Sequence, residues 1–430
     1  MELETVFRQH ARQVLATLIR LLGEFDLAEE ALQEAFVAAA QQWPDQGMPD
    51  NPVAWLIQCG RNRGIDQIRR RQTVRFHADE LMRQAEAVEP SDLVESSLLD
   101  DQLRLIFTCC HPSLAVEVQL ALTLREVCGL STEQVARALL QKPTTVAQKI
   151  VRAKRKIRDA RIPYEVPEDR ELQHRLAAVL HVIYLMFNEG YAVTGGEALM
   201  DTSLTAEAIR LAELLATLVS DSEVAGLVAL MRLQDARQAA RIDEQGELVT
   251  LEDQDRRLWD RGQIDLGKAW LMRALGMAPA GQYTLQAAIA AAHADAPTFG
   301  QTDWQDITGL YDLLYQRLPT PVVALNRAVA VAMLEGPEAG IALMEGLSVH
   351  KAIGNYHLYH AALADLHRRA GHPEQALAGY QRARALATQV REQRFLDKRL
   401  AQMAQSLENE TRTDSLNGKS AGDGPIPRTS

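Results

Sequence analysis

Aromatic residues make up only 5% of this 430-residue chain, and no uninterrupted apolar run approaches the ~18 residues that a membrane-spanning helix needs. That pattern excludes a polytopic membrane protein and predicts no membrane partner. The four cysteines, Cys59, Cys109, Cys110 and Cys128, form no recognisable disulfide framework. The N-terminus reads without a secretory signal, so a reducing cytoplasm is the expected location. A metal site is equally poorly supplied. Adjacent cysteines rarely ligate one tetrahedral ion, and Cys109–Cys110–His111 has no second CxxC or HxxxH pair to complete a site. Nor does the sequence fix a base and an orienter for a thiol nucleophile. The expectation is therefore no metal, no cofactor and no catalytic residue, with Cys109 and Cys110 serving as small core hydrophobes. What is abundant is Ala, Leu, Arg, Glu and Gln, all compatible with helix. At this length the fold class predicted is all-α, in two to four domains.

The net charge of −11 argues against a nucleic-acid partner until it is mapped along the chain. Residues 61–75 carry +5 and residues 142–161 carry +7, leaving −23 for the remainder. Two concentrated basic segments in an acidic chain point to two local polyanion contacts.

The second basic segment closes the most informative stretch, Gly129 to Arg158. Ser131 and Gln134 have the spacing of a capping box. Val135 and Leu139 share a face, Leu140, Gln141 and Lys142 make a turn, and Pro143 suits the first position of a second helix. In that helix Val146, Ile150, Ala153 and Ile157 recur at helical spacing and predict the buried side. Thr144, Thr145, Gln148, Lys149, Arg152, Arg155 and Lys156 fall on the other side. A polar start followed by a cationic end is what a recognition helix presents to base edges and then to phosphates, with Lys154, Arg155 and Lys156 expected mainly on phosphates. An ordinary amphipathic helix pair with a solvated basic face is the plainer alternative.

Upstream, residues 6–22 read as an apolar helix ended by Gly23. Asp26 is placed to cap the next helix, whose apolar stripe of Leu27, Ala31, Ala35, Phe36 and Ala39 opposes an acidic face of Glu29, Glu30, Gln33 and Glu34. That face is either solvated or a surface that docks a basic helix pair. Trp43 and Pro44 close the helix. After a polar loop, Asn51 and Pro52 open a third helix, with Trp55, Leu56, Cys59, Ile65 and Ile68 on its buried side and Arg61, Asn62, Asp66, Arg69, Arg70 and Arg71 supplying polar groups. A basic helix flanked by aromatics suits a strand with unstacked bases.

The ordered motifs DLAEEALQEAF, PVAWLIQCGRNRGIDQIRRR and the helix-turn-helix resemble the extracytoplasmic-function (ECF) class of bacterial sigma factors across residues 5–160. The resemblance implies a sigma domain 2 at residues 1–75, a flexible acidic linker at 76–100 and a sigma domain 4 at 101–161. Core RNA polymerase and promoter DNA are the implied partners. Asp26, Glu29, Glu30, Gln33 and Glu34 would face polymerase. Arg61, Asn62, Asp66, Arg69 and Arg70 would lie near the melted minus-ten element, with the loop Gln46–Asn51 as the region that receives an extruded base. The recognition helix would read the minus-thirty-five element. Arg63 and Gly64 stand where the class usually has apolar Leu and Ala, and Leu140 replaces a usual turn Gly.

Some 270 residues follow the point where such a factor usually ends. NEGY, LEDQDRRLWDR and LNRAVAVA resemble the subgroup with a long C-terminal extension of tetratricopeptide-like helices, predicted over 170–405 and followed by a disordered tail at 406–430. Residues 326–347 and 359–386 show a repeat near 36 residues, with Ala364, Ala376, Tyr380 and Ala383 at tetratricopeptide-like positions. Asn188, Glu189, Tyr191, Asp253, Asp255, Arg256, Trp259 and Asp260 either line a surface for a protein or small-molecule regulator or are buried packing residues. The rival readings are a stand-alone helix-turn-helix regulator with a helical-repeat sensor, and a helical enzyme using the Cys109/His111 neighbourhood or the acidic cluster at 252–260.

Overall fold

The computed structural model describes residues 2–71, 95–139, 141–167, 169–192, 202–277, 279–348 and 351–420. Among these the chain is helical, and its one β feature is an isolated bridge between Ile242 and Leu248. The all-α expectation holds. The chain divides into two compact units, residues 1–194 with 199–220, and residues 195–198 with 221–430.

The first unit opens with α1 (Glu2–Leu22), which ends at Gly23 with φ 71°. Helix α2 (Phe25–Gln46) follows, and it corrects two expectations. Glu24, not Asp26, holds the N-cap position, and Pro44 lies inside the last turn, the helix stopping at Gly47 with φ 84°. Helix α3 (Pro52–Arg71) starts as predicted, with Asn51 Oδ1 accepting from the Ala54 N–H at 3.0 Å. Helices α1 and α3 approach closely because α3 carries glycines where they meet. A Cβ on Gly60 would lie 2.8 Å from Leu18 Cδ1, and one on Gly64 2.5 Å from Leu22 Cδ1. This accounts for Gly64, while Arg63 is exposed beside Glu34.

Helix α4 (Glu95–Cys109) begins inside the stretch expected to be linker, and residues 76–94 of that stretch lie outside the described residues. Pro112 falls, as expected, between α4 and α5 (Val116–Leu122), which widens into a π-helical turn over Thr123–Val127. Helix α6 (Thr132–Ala138) carries the predicted capping box. The Gln134 side chain accepts from the Ser131 N–H at 2.7 Å, and Ser131 Oγ accepts from the Gln134 N–H at 3.2 Å. Leu140 lies outside the described residues. Helix α7 (Pro143–Asp159) starts on Pro143, and Val146, Ile150, Ala153 and Ile157 are buried as their spacing requires.

The compact unit runs on past the boundary expected at residues 161–170, taking in α8 (Asp169–Ala192) and α9 (Thr202–Leu218). The cause is packing. Arg175, 3% exposed, donates to the Phe107 carbonyl at 2.8 Å and lies over the Phe107 ring. Met186 meets Cys128, and Gly190 lets α8 approach Leu204 and Thr205.

The second unit comprises α10 (Ser222–Asp235), α11 (Arg261–Leu275), α12 (Gln282–Asp295), α13 (Trp304–Arg317), α14 (Pro321–Glu335), α15 (Pro337–Glu345), the short α16 (Lys351–Gly354), α17 (His357–Ala370), α18 (Pro373–Leu386) and α19 (Val390–Ser420). The Glu223 carboxylate accepts from the N–H groups of Gly281, Tyr283 and Thr284 at 2.8–3.1 Å, capping α12 from a neighbouring helix. An offset of 36 residues relates buried Ala328 to Ala364 and Met344 to Tyr380, and Pro337 to Pro373 at two helix starts. Helix α19 continues to Ser420 through residues assigned to a disordered tail. Leu407, Glu408, Glu410 and Arg412 favour helix, and extending a formed helix needs no new nucleus. Residues 421–430 lie outside the described residues.

Candidate nucleic-acid interface

Helix α7 separates its side chains by period. Thr144, Thr145, Gln148, Arg152, Arg155 and Lys156 are exposed, and Lys149 is partly covered. Lys149 reaches back to Gln141 at 3.0 Å and toward Glu117 at 3.9 Å. Arg155 pairs with Asp159 one turn on, at 3.2 Å, and Lys156 donates to the Ser113 carbonyl. The helix therefore offers polar groups in its first two turns and guanidinium and ammonium groups beyond, held by exposed pairs that are worth little and break readily.

On α3, Asn62, Asp66, Arg69 and Arg70 are exposed, with Arg69 and Asp66 3.9 Å apart. Arg61 is not on that surface. It is 9% exposed and donates to the Gln58 side chain at 3.1 Å. Its position four residues after Ile57 and four before Ile65 places it on the buried stripe, where only the aliphatic stem is readily accommodated. The adjoining loop, expected to receive a base, is exposed at Gln46, Met48, Asp50 and Asn51. It is bracketed by Trp43 and Trp55, whose rings meet edge to face at 5.5 Å.

The acidic face of α2 divides in two. Glu30, Gln33 and Glu34 line a groove of about 470 Å³ with Arg63 and Gln67 of α3. Asp26 and Glu29 point elsewhere, at Lys154 of α7. Lys154 Nζ lies 3.1 Å from Glu29, 3.1 Å from Glu126 and 3.3 Å from Asp26, with the Phe25 ring 5.6 Å away. Burial works against the Lys154 ammonium, but Glu126 and Glu29 outweigh it and raise its pKa above the ordinary lysine value. Burial pushes the Glu126 carboxyl up to about 7, against the pull of Lys154. The cluster is a shared titrating unit, with Arg125 4.0 Å from Glu29 at its edge. Asp26 and Glu29 are thus engaged within the chain, Glu29 partly covered and Asp26 still largely exposed.

Residues not anticipated from the sequence join the same contact. Arg20 donates to Asp101 at 2.6 Å, Arg12 to the Gly129 carbonyl at 3.1 Å, and Arg158 to Glu24 at 3.1 Å. The buried charge of Glu126 is the signal that was available, since an ionised group in an apolar stretch requires a partner.

Two of the four cysteines are core residues, and Cys59 and Cys128 are partly exposed. Cys109 and Cys110 are buried, and burial raises both thiols, Cys110 to about 12, so the nucleophilic thiolate is disfavoured. Among the described residues, no group of three or more His, Cys, Asp or Glu side chains is placed to hold a metal ion. No described helix is long and apolar enough to cross a membrane.

In the second unit the LEDQDRRLWDR motif divides between buried packing residues and exposed polar ones. Arg256, 5% exposed, donates to the Ala296 carbonyl and Thr302 Oγ1, with its guanidinium over the buried Trp259 ring. Asp255 and Asp260 accept from backbone N–H groups at helix starts. Asp253 is exposed and accepts from Thr250. Of the NEGY residues, Glu189 is half-buried, and burial alone raises its carboxyl. Tyr191 stacks on Phe187 at 5.4 Å, and Asn188 is partly exposed.

Comparison with known proteins gives three family matches. Residues 6–74 match Sigma-70 region 2, residues 104–157 match Sigma-70 region 4, and residues 175–275 match a family of unknown function, DUF6596. An uncharacterised protein of Rhizobium meliloti is 43% identical over 91% of this chain and 93% of its own length. The probable ECF RNA polymerase sigma factor SigI of Mycobacterium tuberculosis is 27% identical over 40% of this chain and 58% of its own. The ECF RNA polymerase sigma factor SigE of Mycolicibacterium smegmatis is 30% identical over 36% of this chain and 60% of its own.

Proposed function

We propose that this chain, which belongs to the extracytoplasmic-function class of RNA polymerase sigma factors in the subgroup with a long C-terminal extension, binds core RNA polymerase and directs it to promoters. It acts in the cytoplasm and carries no chemistry of its own. Thr144, Thr145 and Gln148 read base edges of the minus-thirty-five element, while Lys149, Arg152, Arg155 and Lys156 hold phosphates. Asn62, Asp66, Arg69 and Arg70 lie along the melted minus-ten strand, with Arg61 supporting their helix from beneath. Glu30, Gln33 and Glu34 face polymerase, joined by Asp26 and Glu29 once those are released from Lys154. The second unit is a tetratricopeptide-like scaffold that enables or regulates promoter engagement. Its 36-residue offset between buried positions supports the repeat reading.

The observation that carries the proposal is the pairing of two exposed polar-cationic helices, α3 and α7, on the two segments that match regions 2 and 4. A stand-alone regulator needs only the second of these. In a run-off assay, core polymerase with this chain should start transcription at a defined promoter that core alone ignores. Duplex binding without polymerase association would favour the stand-alone regulator.

A further inference from the structure

We infer that the last helices of the second unit, α17 and α19, carry a binding face for an acidic peptide, and that the chain's own hairpin at residues 241–253 occupies it as an internal stand-in. This face lies wholly within the second unit and is independent of promoter recognition.

Residues 368–399 hold eight Lys and Arg side chains against three carboxylates, a third net-positive stretch in an acidic chain. The 36-residue repeat does not require them. One repeat upstream, Asp365, Arg368 and Arg369 of α17 correspond to Val329, Ala332 and Met333 of α14. A terminal repeat needs a polar outer face, but not one sign of charge. On α19, Arg391, Arg394, Lys398 and Arg399 stand at i, i+3, i+7 and i+8 and share one side of the helix.

Residues 242–255 have the reverse composition, six carboxylates and no cation. The segment turns at Gly246, φ 79°, and is bridged between Ile242 and Leu248. Its backbone bonds are internal. The Asp243 N–H donates to the Glu247 carbonyl at 3.0 Å and the Val249 N–H to the Arg241 carbonyl at 2.9 Å, while the Asp243 carboxylate accepts from the Gln245 and Glu247 N–H groups. Buried Gln254 ties its base to Val249 and Arg237. Other carboxylates meet the basic helices. Glu247 lies 3.4 Å from Arg394, Asp253 3.9 Å from Arg399, and Glu252 pairs with Arg369. Asp365 braces the same Arg369 guanidinium at 2.7 Å, so it is positioned before any partner arrives.

These three pairs attach the hairpin without building it. In each, one member (Arg394, Asp253 or Glu252) is exposed, and a pair of that kind contributes a factor of about two to five. If they part, the turn and its backbone bonds remain. A segment offering the same groups can therefore take the hairpin's place. The occupant shows what the face reads: carboxylates on a chain whose Leu248, Val249 and Leu251 are partly buried between them. Nucleic-acid phosphates would supply the charge but not the aliphatic side chains, so a peptide fits better than a polynucleotide.

The test titrates a fluorescent peptide with the sequence of residues 242–255 into the full chain and follows anisotropy. Glu247→Gln, Glu252→Gln and Asp253→Asn together weaken the internal competitor while keeping side-chain size. This triple variant should bind the peptide about tenfold more tightly than wild type, near the low end of the product of three such factors. Adding Arg394→Gln and Arg399→Gln should abolish the gain, and a peptide with Gln and Asn in place of its acids should not bind. Far-ultraviolet circular dichroism reports whether each variant stays helical. If the triple variant does not, Glu252→Gln alone makes the same comparison with a gain of about two- to fivefold. Equal affinity of wild type and variant would overturn the stand-in. No binding by any form, or a gain that survives loss of Arg394 and Arg399, would overturn the face. A single-stranded oligonucleotide of the same length that displaces bound peptide as well as unlabelled peptide does would overturn the choice of a peptide.

Discussion

Lys154 and Lys156 are two residues apart on one basic helix, and only Lys156 is exposed. Charge alone ranks them equally. Period separates them, since Ile150, Ala153, Lys154 and Ile157 sit at i, i+3, i+4 and i+7, the spacing of a buried stripe. The same argument moves Arg61 off the surface of α3. For the exposed residues the division of labour is testable by binding titrations on variant duplexes at several salt concentrations. Gln148→Ala should relax sequence preference by roughly 1–3 kcal/mol if its base contact is bidentate. Lys156→Ala should weaken all sequences alike and reduce the salt slope by about one. Uniform losses from both would refute the assignment. The second unit offers a pH test. His293 is buried against Trp304, and burial, with Arg237 and Arg256 adding, lowers its pKa to about 4 from 6.5. A depressed folded-state value means the neutral imidazole stabilises the unit fully above pH 6.5, and this stability is lost as pH falls from 6.5 toward 4. The loss amounts to on the order of 3 kcal/mol. His293→Leu should flatten the pH dependence of denaturant midpoints over that window, and an unaltered slope would count against it.

At the scale of elements, the sequence made the starts and stops legible because they depend on local chemistry. The Ser131/Gln134 capping box, Asn51 before Pro52, Pro143 at the first position of α7 and Gly23 after α1 are each visible within four residues. What stayed hidden depends on long-range packing. Nothing within residues 161–170 shows that α8 turns back to place Arg175 on the Phe107 carbonyl, 68 positions away. Truncation experiments must respect that contact. A chain ending at Arg161 loses α8 and α9 and uncovers Phe107 and Cys128, whereas one ending at Ser220 keeps the unit whole. Thermal melts should show the 1–220 chain cooperative and the 1–161 chain markedly less stable. Equal midpoints would mean that α8 and α9 are not part of the first unit's core.

For the whole molecule, Arg69 and Arg70 of α3 and Arg152, Arg155 and Lys156 of α7 are among the cations of the two basic segments that stand exposed, within the stretches that match Sigma-70 regions 2 and 4. In the second unit buried Ala328 and Ala364, and buried Met344 and Tyr380, stand 36 residues apart, and Arg256 of its polar motif is held by the Ala296 carbonyl. The function proposed thus rests on the first unit. The most direct measurement is a map of transcription start sites made with core polymerase and the full chain on a promoter library. The account predicts starts absent with core alone, clustered downstream of two short elements at a fixed spacing, with Gln148→Ala altering the upstream element only. Starts no different from those of core alone, despite a folded chain that binds duplex DNA, would contradict it.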